Sequence, residues 1–312
     1  MATDKGGAWF TVAGHGAHIR ATRDYLTIRR GGREEQIRVN TLDHLIVIGG
    51  HTLHTSAVIS LSRAGIPISF FDADGKAAGR IALRGDCYQE RLREAQRRAS
   101  KHNYALVFAK AGVDSRILAI ERYGHSHGWS LLYEGELDLL QSSREEIQYL
   151  VRMEEIRRLH KYLRDMYYEI MARTLPPELG FRRRTERPHR DPVNAMLSFG
   201  YAVLFGVAGT MVAAAGLDPC AGVLHDGDDG LIRDIIDGFQ PVMVDETVFS
   251  MAREGIAETA YEIGERRCYL SDDLIGELLP RLHRSIREEA VAAVVRDYCD
   301  ALLKGNVFSP VY

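Results

Sequence analysis

The chain has 312 residues, long enough for one large domain or two domains with a substantial core. Its composition, 46% hydrophobic and 27% charged, is that of an ordinary globular protein, and a net charge of −3 excludes a uniformly cationic DNA-coating protein. Contact with nucleic acid would have to come from local basic patches. The four cysteines lie far apart without a CxxC pair and the start resembles no signal peptide, so we expect no zinc cluster and a cytoplasmic location.

The first 80 residues carry the signals of a small β-rich domain. Tyr25-Leu-Thr-Ile28 alternates in polarity and is followed by Gly31-Gly32, which predicts a β-hairpin. Further strands are predicted over 36–39, 45–48 and 68–71, a short helix over 55–64, and a turn over 72–75. We expect residues 1–80 to form this domain and residues 81–90 to form a linker.

Helical periodicity dominates residues 91–312, which predicts a helical second domain and an α+β protein. Serines followed by acids mark helix starts at Ser142 and Ser271. The predicted helices cover 88–100, 106–123, 137–174, 195–215, 245–265 and 271–304.

The segment Ala195–Ala215 has no charged residue and is as long as a helix that spans a bilayer. A core helix buried on all sides has the same composition. We favour the core helix and no membrane association, with Leu197, Leu204 and Val207 buried. A membrane-associated protein anchored by this segment is the alternative.

His225 stands at the mouth of an acidic loop, and Asp234 and Asp237 follow it at helical spacing. Being three residues apart, the two aspartates lie on the same side of one helix. A neutral imidazole with one or two carboxylates, and open positions for water and phosphate, suits Mn²⁺ or Mg²⁺. The competing interpretation is a helix start behind a solvated acidic loop. A calcium loop of the EF-hand type is excluded because Leu231 stands where that loop requires glycine.

A basic loop precedes the uncharged segment and is stiffened by Pro188 and Pro192. Arginine forks match phosphate oxygens, and several together give salt-dependent affinity for DNA of any sequence. A solvated charged loop is the competing interpretation. The candidate DNA-binding residues are Arg182, Arg183, Arg184, Arg187 and Arg190.

Together these pieces resemble the CRISPR-associated Cas1 integrase family. The stretch Asp191-Pro-Val-Asn-Ala-Met-Leu-Ser-Phe-Gly-Tyr201 is similar to that family's hallmark helix start, and the arginine-proline loop before it is also similar. Further similar motifs are Gly216-Leu-Asp-Pro219 with Val223-Leu-His225, Asp234-Ile-Ile-Asp-Gly-Phe-Gln-Pro241 with Asp245, Cys268-Tyr-Leu-Ser-Asp272, and the β-domain stretch 42–71. The resemblance therefore spans nearly the whole chain.

The resemblance implies an N-terminal β-sandwich domain for dimerisation and an all-α catalytic domain after it. It implies a homodimer that pairs with a Cas2 subunit and acts on double-stranded DNA, both the captured prespacer and the CRISPR repeat. The implied activity is that of an endonuclease and integrase, dependent on Mn²⁺ or Mg²⁺, which joins the 3′-OH ends of captured DNA to the repeat ends. By the same resemblance, His225 and Asp237 match metal ligands and Asp234 matches a neighbouring aspartate.

The family's third ligand, a glutamate in an upstream helix, has no clear counterpart. An ungapped register from Asp191 places His160 there, whereas a register with an insertion places Glu154 there. Histidine can bind Mn²⁺ but adds no negative charge, so loss of the carboxylate weakens affinity for a hard cation. The leading hypothesis is an active metal-dependent integrase. The alternative is a catalytically weakened subunit of the same fold that binds DNA or scaffolds a complex.

Overall fold

The computed structural model describes residues 8–71, 77–81, 88–129, 131–186 and 188–312, so the turn predicted over 72–75 lies outside the described residues. The chain divides into two compact units. One comprises Met1–Gln96 with Gly209–Asp218, and the other comprises Arg97–Ala208 with Pro219–Tyr312. Strands precede helices, which confirms the α+β class.

The first unit contains a six-stranded sheet. Its strands are β1 Ala8–Ala21, β2 Tyr25–Arg30, β3 Arg33–Arg38, β4 Leu42–Leu53, β5 Ile68–Phe71 and β6 Ala77–Ile81, in the spatial order β3-β2-β1-β4-β5-β6. The hairpin predicted at Gly31-Gly32 is present, because β2 and β3 pair antiparallel across it. The long strand β1 was not predicted. Gly14 and Gly16, both at positive φ, interrupt its alternation, and its pairing with β4 is parallel.

The core of this unit lies between the sheet and helix α1 (Thr55–Arg63). Leu26 and Leu45 from the sheet and Ala57 and Leu61 from α1 are fully buried there. His54 caps α1, since its side chain accepts a hydrogen bond from the Ser56 amide. Helix α2 (Tyr88–Arg98) also belongs largely to this unit.

The second unit is mostly helical. Its helices are α3 Lys101–His127, α4 Glu136–Ile147, α5 Met153–Ala172, α6 Pro192–Ala215, α7 Gly230–Asp237, α8 Glu246–Glu254, α9 Asp272–Ser285 and α10 Glu288–Lys304, and the end of α6 from Gly209 onward belongs to the first unit. A π-helical turn, Pro241–Asp245, joins α7 to α8, and a short strand pair, β7 Tyr261–Ile263 and β8 Cys268–Leu270, lies between α8 and α9. The second part of the chain is therefore not purely helical.

Several predicted helix boundaries were wrong. Ser271 caps α9 as predicted, with its side chain accepting from the Leu274 amide, but Ser142 lies inside α4 and caps nothing. The stretch predicted as one helix over 137–174 breaks between Ile147 and Met153. The helix predicted over 245–265 ends at Glu254, because Gly255 has φ 104, a conformation that ends a helix readily.

Helix α6 carries the uncharged segment. Asp191 precedes Pro192 and accepts a hydrogen bond from the Asn194 amide at 2.7 Å, the pattern of an N-cap followed by proline at the first helical position. Leu197 and Leu204 are fully buried as predicted, whereas Val207 is only half-buried. The helix is long and apolar enough to cross a membrane by length and composition, and half of its most apolar window is buried inside the structure.

Candidate active site

Asp234 holds the loop that carries His225. This carboxylate is fully buried and accepts backbone N–H groups from Val223 at 2.6 Å, Leu224 at 3.2 Å and His225 at 2.8 Å. Its Oδ1 also lies 2.9 Å from Nδ1 of His225. Because a carboxylate can only accept, Nδ1 carries the proton and Nε2 keeps its lone pair. Asp234 thus fixes the orientation and tautomer of His225.

Two glycines make this tight loop possible. A Cβ added at Gly222 or at Gly230 would overlap the carbonyl oxygen of His225. Gly230 is also the first residue of α7, so the helix begins where the loop turns back on itself. The sequence reason for the position of His225 is therefore this glycine pair together with Asp234.

Asp237 lies on the same helix but has different partners. Its carboxylate accepts two hydrogen bonds from Arg116 on α3, from NH1 to Oδ2 at 2.9 Å and from NH2 to Oδ1 at 3.0 Å. Both side chains are almost completely buried, at 1% and 3% exposure. Burial alone would raise the pKa of Asp237, but the Arg116 charge and the hydrogen bonds to the carboxylate hold that pKa well below its usual range.

Gly112 makes room for this pair. A Cβ at that position of α3 would overlap Oδ2 of Asp237, so the carboxylate can approach the helix only where there is no side chain. The Gly112 carbonyl accepts a further hydrogen bond from Arg116 NH1 at 2.8 Å, and Gln240 Oε1 lies 3.4 Å from NH2. The guanidinium is therefore held in place by α3 as well as by its carboxylate.

His160 on α5 completes the cluster. Its Nε2 lies 2.9 Å from Oδ2 of Asp237, and its ring is 6.0 Å from that of His225, centroid to centroid and nearly perpendicular. Burial lowers the pKa of His160 in spite of the neighbouring carboxylate, so the ring is neutral at neutral pH and donates its Nε2 proton to Asp237. Glu154 lies exposed in the first turn of α5, six residues earlier and about a third of a turn away around the helix axis. The structure brings His160, and not Glu154, to Asp237 and His225.

These residues do not fit a hard divalent cation as they are arranged. Mn²⁺ and Mg²⁺ prefer carboxylate, carbonyl and water oxygens. Both oxygens of Asp237 face a guanidinium, and both oxygens of Asp234 accept N–H groups. Within the residues that the structure describes, no group of three His, Cys, Asp or Glu side chains is positioned to hold a metal ion. Although the two aspartates share a helix, their carboxylates have separate hydrogen-bond partners.

The predicted arginine loop divides into two parts, and Arg187 lies outside the described residues. Arg182, Arg183 and Arg190 are exposed. Arg184 is half-buried, and its donors are bound inside the chain: NH1 lies 2.7 Å from Oδ1 of Asn194 and NH2 lies 2.6 Å from Oγ of Ser198. Arg184 therefore anchors the loop to α6, and among the described arginines of this loop the three exposed ones are open to phosphate.

Sequence reasoning missed two features of the site. Arg116 was not considered, although it falls on the apolar stripe of α3 with Ala105, Ala109 and Ile120, a position where a charge is unusual. The second feature is a buried chain in which Tyr201 donates to Asp245 and its hydroxyl lies 2.6 Å from that of Tyr168.

Comparisons with known proteins agree on one family. The sequence model described as "CRISPR associated protein Cas1" matches residues 10–284. A putative CRISPR-associated endonuclease Cas1 from Methanospirillum hungatei is 38% identical over 281 residues, covering 90% of this chain and 93% of that protein. A CRISPR-associated endonuclease Cas1 from Thermus thermophilus is 30% identical over 263 residues, covering 83% and 80%.

Solved structures share the fold. A structure described as a partial Cas6-RT-Cas1–Cas2 complex has a TM-score of 0.79 at 18% identity and covers 98% of each chain. A casposase bound to its integration product has a TM-score of 0.79 at 17% identity, covering 97% of this chain and 99% of the casposase. At these identities the likeness concerns the fold alone.

Proposed function

This chain belongs to the CRISPR-associated Cas1 family, the endonucleases and integrases of CRISPR adaptation, and from that membership we propose that it joins the 3′-OH ends of captured DNA to the ends of a CRISPR repeat. The observation that carries the proposal is the meeting of α3, α5, α7 and the His225 loop at one centre, with His225 oriented by Asp234. The matches cover 93% and 80% of the length of the two curated relatives, so the proposal applies to the full fold and not to one part of it.

The proposed reaction is a transesterification. The oxygen of an incoming 3′-OH forms a bond to the phosphorus of a repeat strand, and the bond from that phosphorus to the 3′ oxygen of the neighbouring nucleotide breaks. The hydroxyl proton leaves the attacking oxygen, and the departing oxygen gains a proton. His225 is 24% exposed at its side chain and has a lone pair on Nε2, so this nitrogen would take the first proton or, with a divalent cation present, would hold the cation instead. The exposed Arg182, Arg183 and Arg190 bind the DNA phosphates.

Mn²⁺ or Mg²⁺ remains the proposed cofactor, because phosphoryl transfer in this family is expected to use a hard cation. His225 and Asp237 are the residues that would hold it. In the arrangement described, Asp237 is not open to such an ion. We further propose that the chain acts as a homodimer with a Cas2 subunit on double-stranded DNA in the cytoplasm; a Cas1–Cas2 complex and a Cas1–DNA complex among the similar structures support the Cas2 and DNA partners.

A second candidate is a DNA-binding or scaffolding subunit with weakened catalysis. One observation favours it: His160 stands beside Asp237 where the family resemblance implies a carboxylate, and Arg116 neutralises Asp237. Such a subunit would keep the exposed arginines and the fold but lack the negative charge that attracts a divalent cation.

The experiment is joining of a labelled DNA with free 3′-OH ends into a supercoiled plasmid that carries a CRISPR repeat. It is run with Mn²⁺, with Mg²⁺ and without either, and with and without Cas2. Wild type is compared with His225→Ala, and His283→Ala, an exposed histidine of α9, is the matched control. Joining by wild type and the control but not by His225→Ala supports the integrase. If none of the three joins DNA while all bind it equally, the second candidate replaces it.

A further inference from the structure

The charge of Asp237 is already balanced inside the chain. Arg116 carries one positive charge and contacts both carboxylate oxygens, at 2.9 and 3.0 Å, so the pair has no net charge. His160, the third member, adds no negative charge. With a carboxylate in place of His160, the same cluster would carry a charge of −1 and would attract a cation.

Several contacts besides the ion pair fix the guanidinium of Arg116 beside Asp237. It emerges from α3 at the turn where Gly112 leaves space for the carboxylate, and the Gly112 carbonyl and the Gln240 amide oxygen lie within reach of its nitrogens. Its side chain is 1% exposed, so water does not screen its charge. Among the described residues its Nε has no hydrogen-bond partner, so the contacts that hold the head group are those of its two terminal nitrogens.

A divalent cation at Asp237 would need a lone pair of the same two oxygens. A second positive charge within a few ångströms of a buried guanidinium is strongly disfavoured, because the low-dielectric surroundings leave the repulsion unscreened. His160 cannot coordinate the cation through Nε2, because that nitrogen donates a hydrogen bond to the carboxylate. The cation and Arg116 therefore exclude each other at Asp237.

We propose that Arg116 is a built-in competitor of the divalent cation, so that Mn²⁺ or Mg²⁺ reaches Asp237 only when the guanidinium leaves the carboxylate. This inference takes from the proposed function only the identity of the cation, Mn²⁺ or Mg²⁺. It makes Arg116 a positioning residue that sets the metal affinity of the site.

The test measures Mn²⁺ binding to the full chain without DNA, by the loss of the free Mn²⁺ electron paramagnetic resonance signal. Arg116→Met keeps an unbranched apolar side chain and removes the guanidinium with its charge, and it should bind Mn²⁺ at least tenfold more tightly than wild type. Arg116→Lys keeps the charge but cannot span both oxygens, so it should show a smaller gain in the same direction. Arg122→Met, which removes an exposed arginine from the same helix, is the matched control and should bind as wild type does.

Two results would overturn the inference. One is equal Mn²⁺ affinity in wild type and Arg116→Met, and the other is a gain that persists when Asp237→Asn is added to Arg116→Met. If Arg116→Met does not fold, the Mn²⁺ affinity of Arg116→Lys is compared with that of wild type. Equal affinities in these two proteins then refute the competition. Because no DNA is present, these outcomes are independent of whether the chain joins DNA.

Discussion

Removing the carboxylate of Asp237 should destabilise the protein strongly. Asp237→Ala deletes the acceptor of three hydrogen bonds, two from Arg116 and one from His160, and leaves a guanidinium that is 1% exposed without its counter-charge. Breaking a buried ion pair by removing one partner costs about 3–5 kcal/mol, chiefly because the remaining charge is neither paired nor hydrated. At roughly 2–4 °C per kcal/mol for a unit of about 200 residues, the melting temperature should fall by about 6–20 °C.

The chain provides a matched control with the same chemistry and different burial. Arg157 and Asp226 also form a two-pronged pair, at 2.6 and 2.8 Å, but their side chains are 35% and 76% exposed. Solvent screens such a pair, so Asp226→Ala should change the unfolding free energy by less than about 1 kcal/mol. Both pairs are two-pronged and differ chiefly in burial, and Asp237 accepts one further hydrogen bond, from His160.

Urea unfolding followed by far-UV circular dichroism measures both variants, with thermal melts as a second reading. The expected order of stability is wild type, then Asp226→Ala close to it, then Asp237→Ala well below. If Asp237→Ala unfolds within about 1 kcal/mol of Asp226→Ala, the guanidinium of Arg116 is solvated and the buried-pair argument fails.

Other perturbations separate packing, ionisation and DNA contact. Leu204→Ala, at a fully buried residue of α6, should cost roughly 2–5 kcal/mol, and Leu139→Ala, at a residue 42% exposed, less than about 1 kcal/mol; equal losses of unfolding free energy in urea would contradict burial of Leu204. Burial raises the pKa of Asp245 to about 7 from about 3.9 when unfolded, so its ionisation removes stability as pH rises between these values. Asp245→Asn should therefore melt higher than wild type at pH 8 and like wild type near pH 4, and identical profiles would count against this. Replacing Arg182 and Arg183 with alanine should flatten the dependence of DNA affinity on salt by about one unit of log–log slope per lost phosphate contact, measured by fluorescence anisotropy; an unchanged slope would show that these arginines meet only solvent.

Local signals explain what the sequence predicted well. The hairpin at Gly31-Gly32 and the cap at Ser271 depend on residues a few positions apart, and both are present. Strand β1 was missed because its parallel partner β4 is distant in sequence and Gly14 and Gly16 interrupt its alternation. The parallel pairing of β1 is a tertiary contact that no short window can show.

The same division between local and distant contacts applies to the candidate site. His225, Asp234 and Asp237 lie within thirteen positions and could be identified from spacing, and the family resemblance narrowed the third position to His160 or Glu154. Arg116 lies 121 positions from Asp237, so spacing says nothing of their pairing. The only local signal was a charge on the apolar stripe of α3, which is a reason to look for a buried acid elsewhere.

The three side chains of the centre differ in solvent exposure, and this difference distinguishes a residue that can contact substrate from residues that stabilise the fold. His225 is 24% exposed, whereas His160 and Asp237 are 4% and 3% exposed at their side chains, so an approaching phosphate meets His225 first. Replacing His225 with alanine leaves Asp234 with its backbone N–H partners and should lower the melting temperature little. Replacing Asp237 leaves a buried charge and should lower it much. Loss of DNA joining without loss of stability in His225→Ala is therefore evidence for chemistry at this centre, whereas a loss of joining in Asp237→Ala has to be judged against the stability that variant retains.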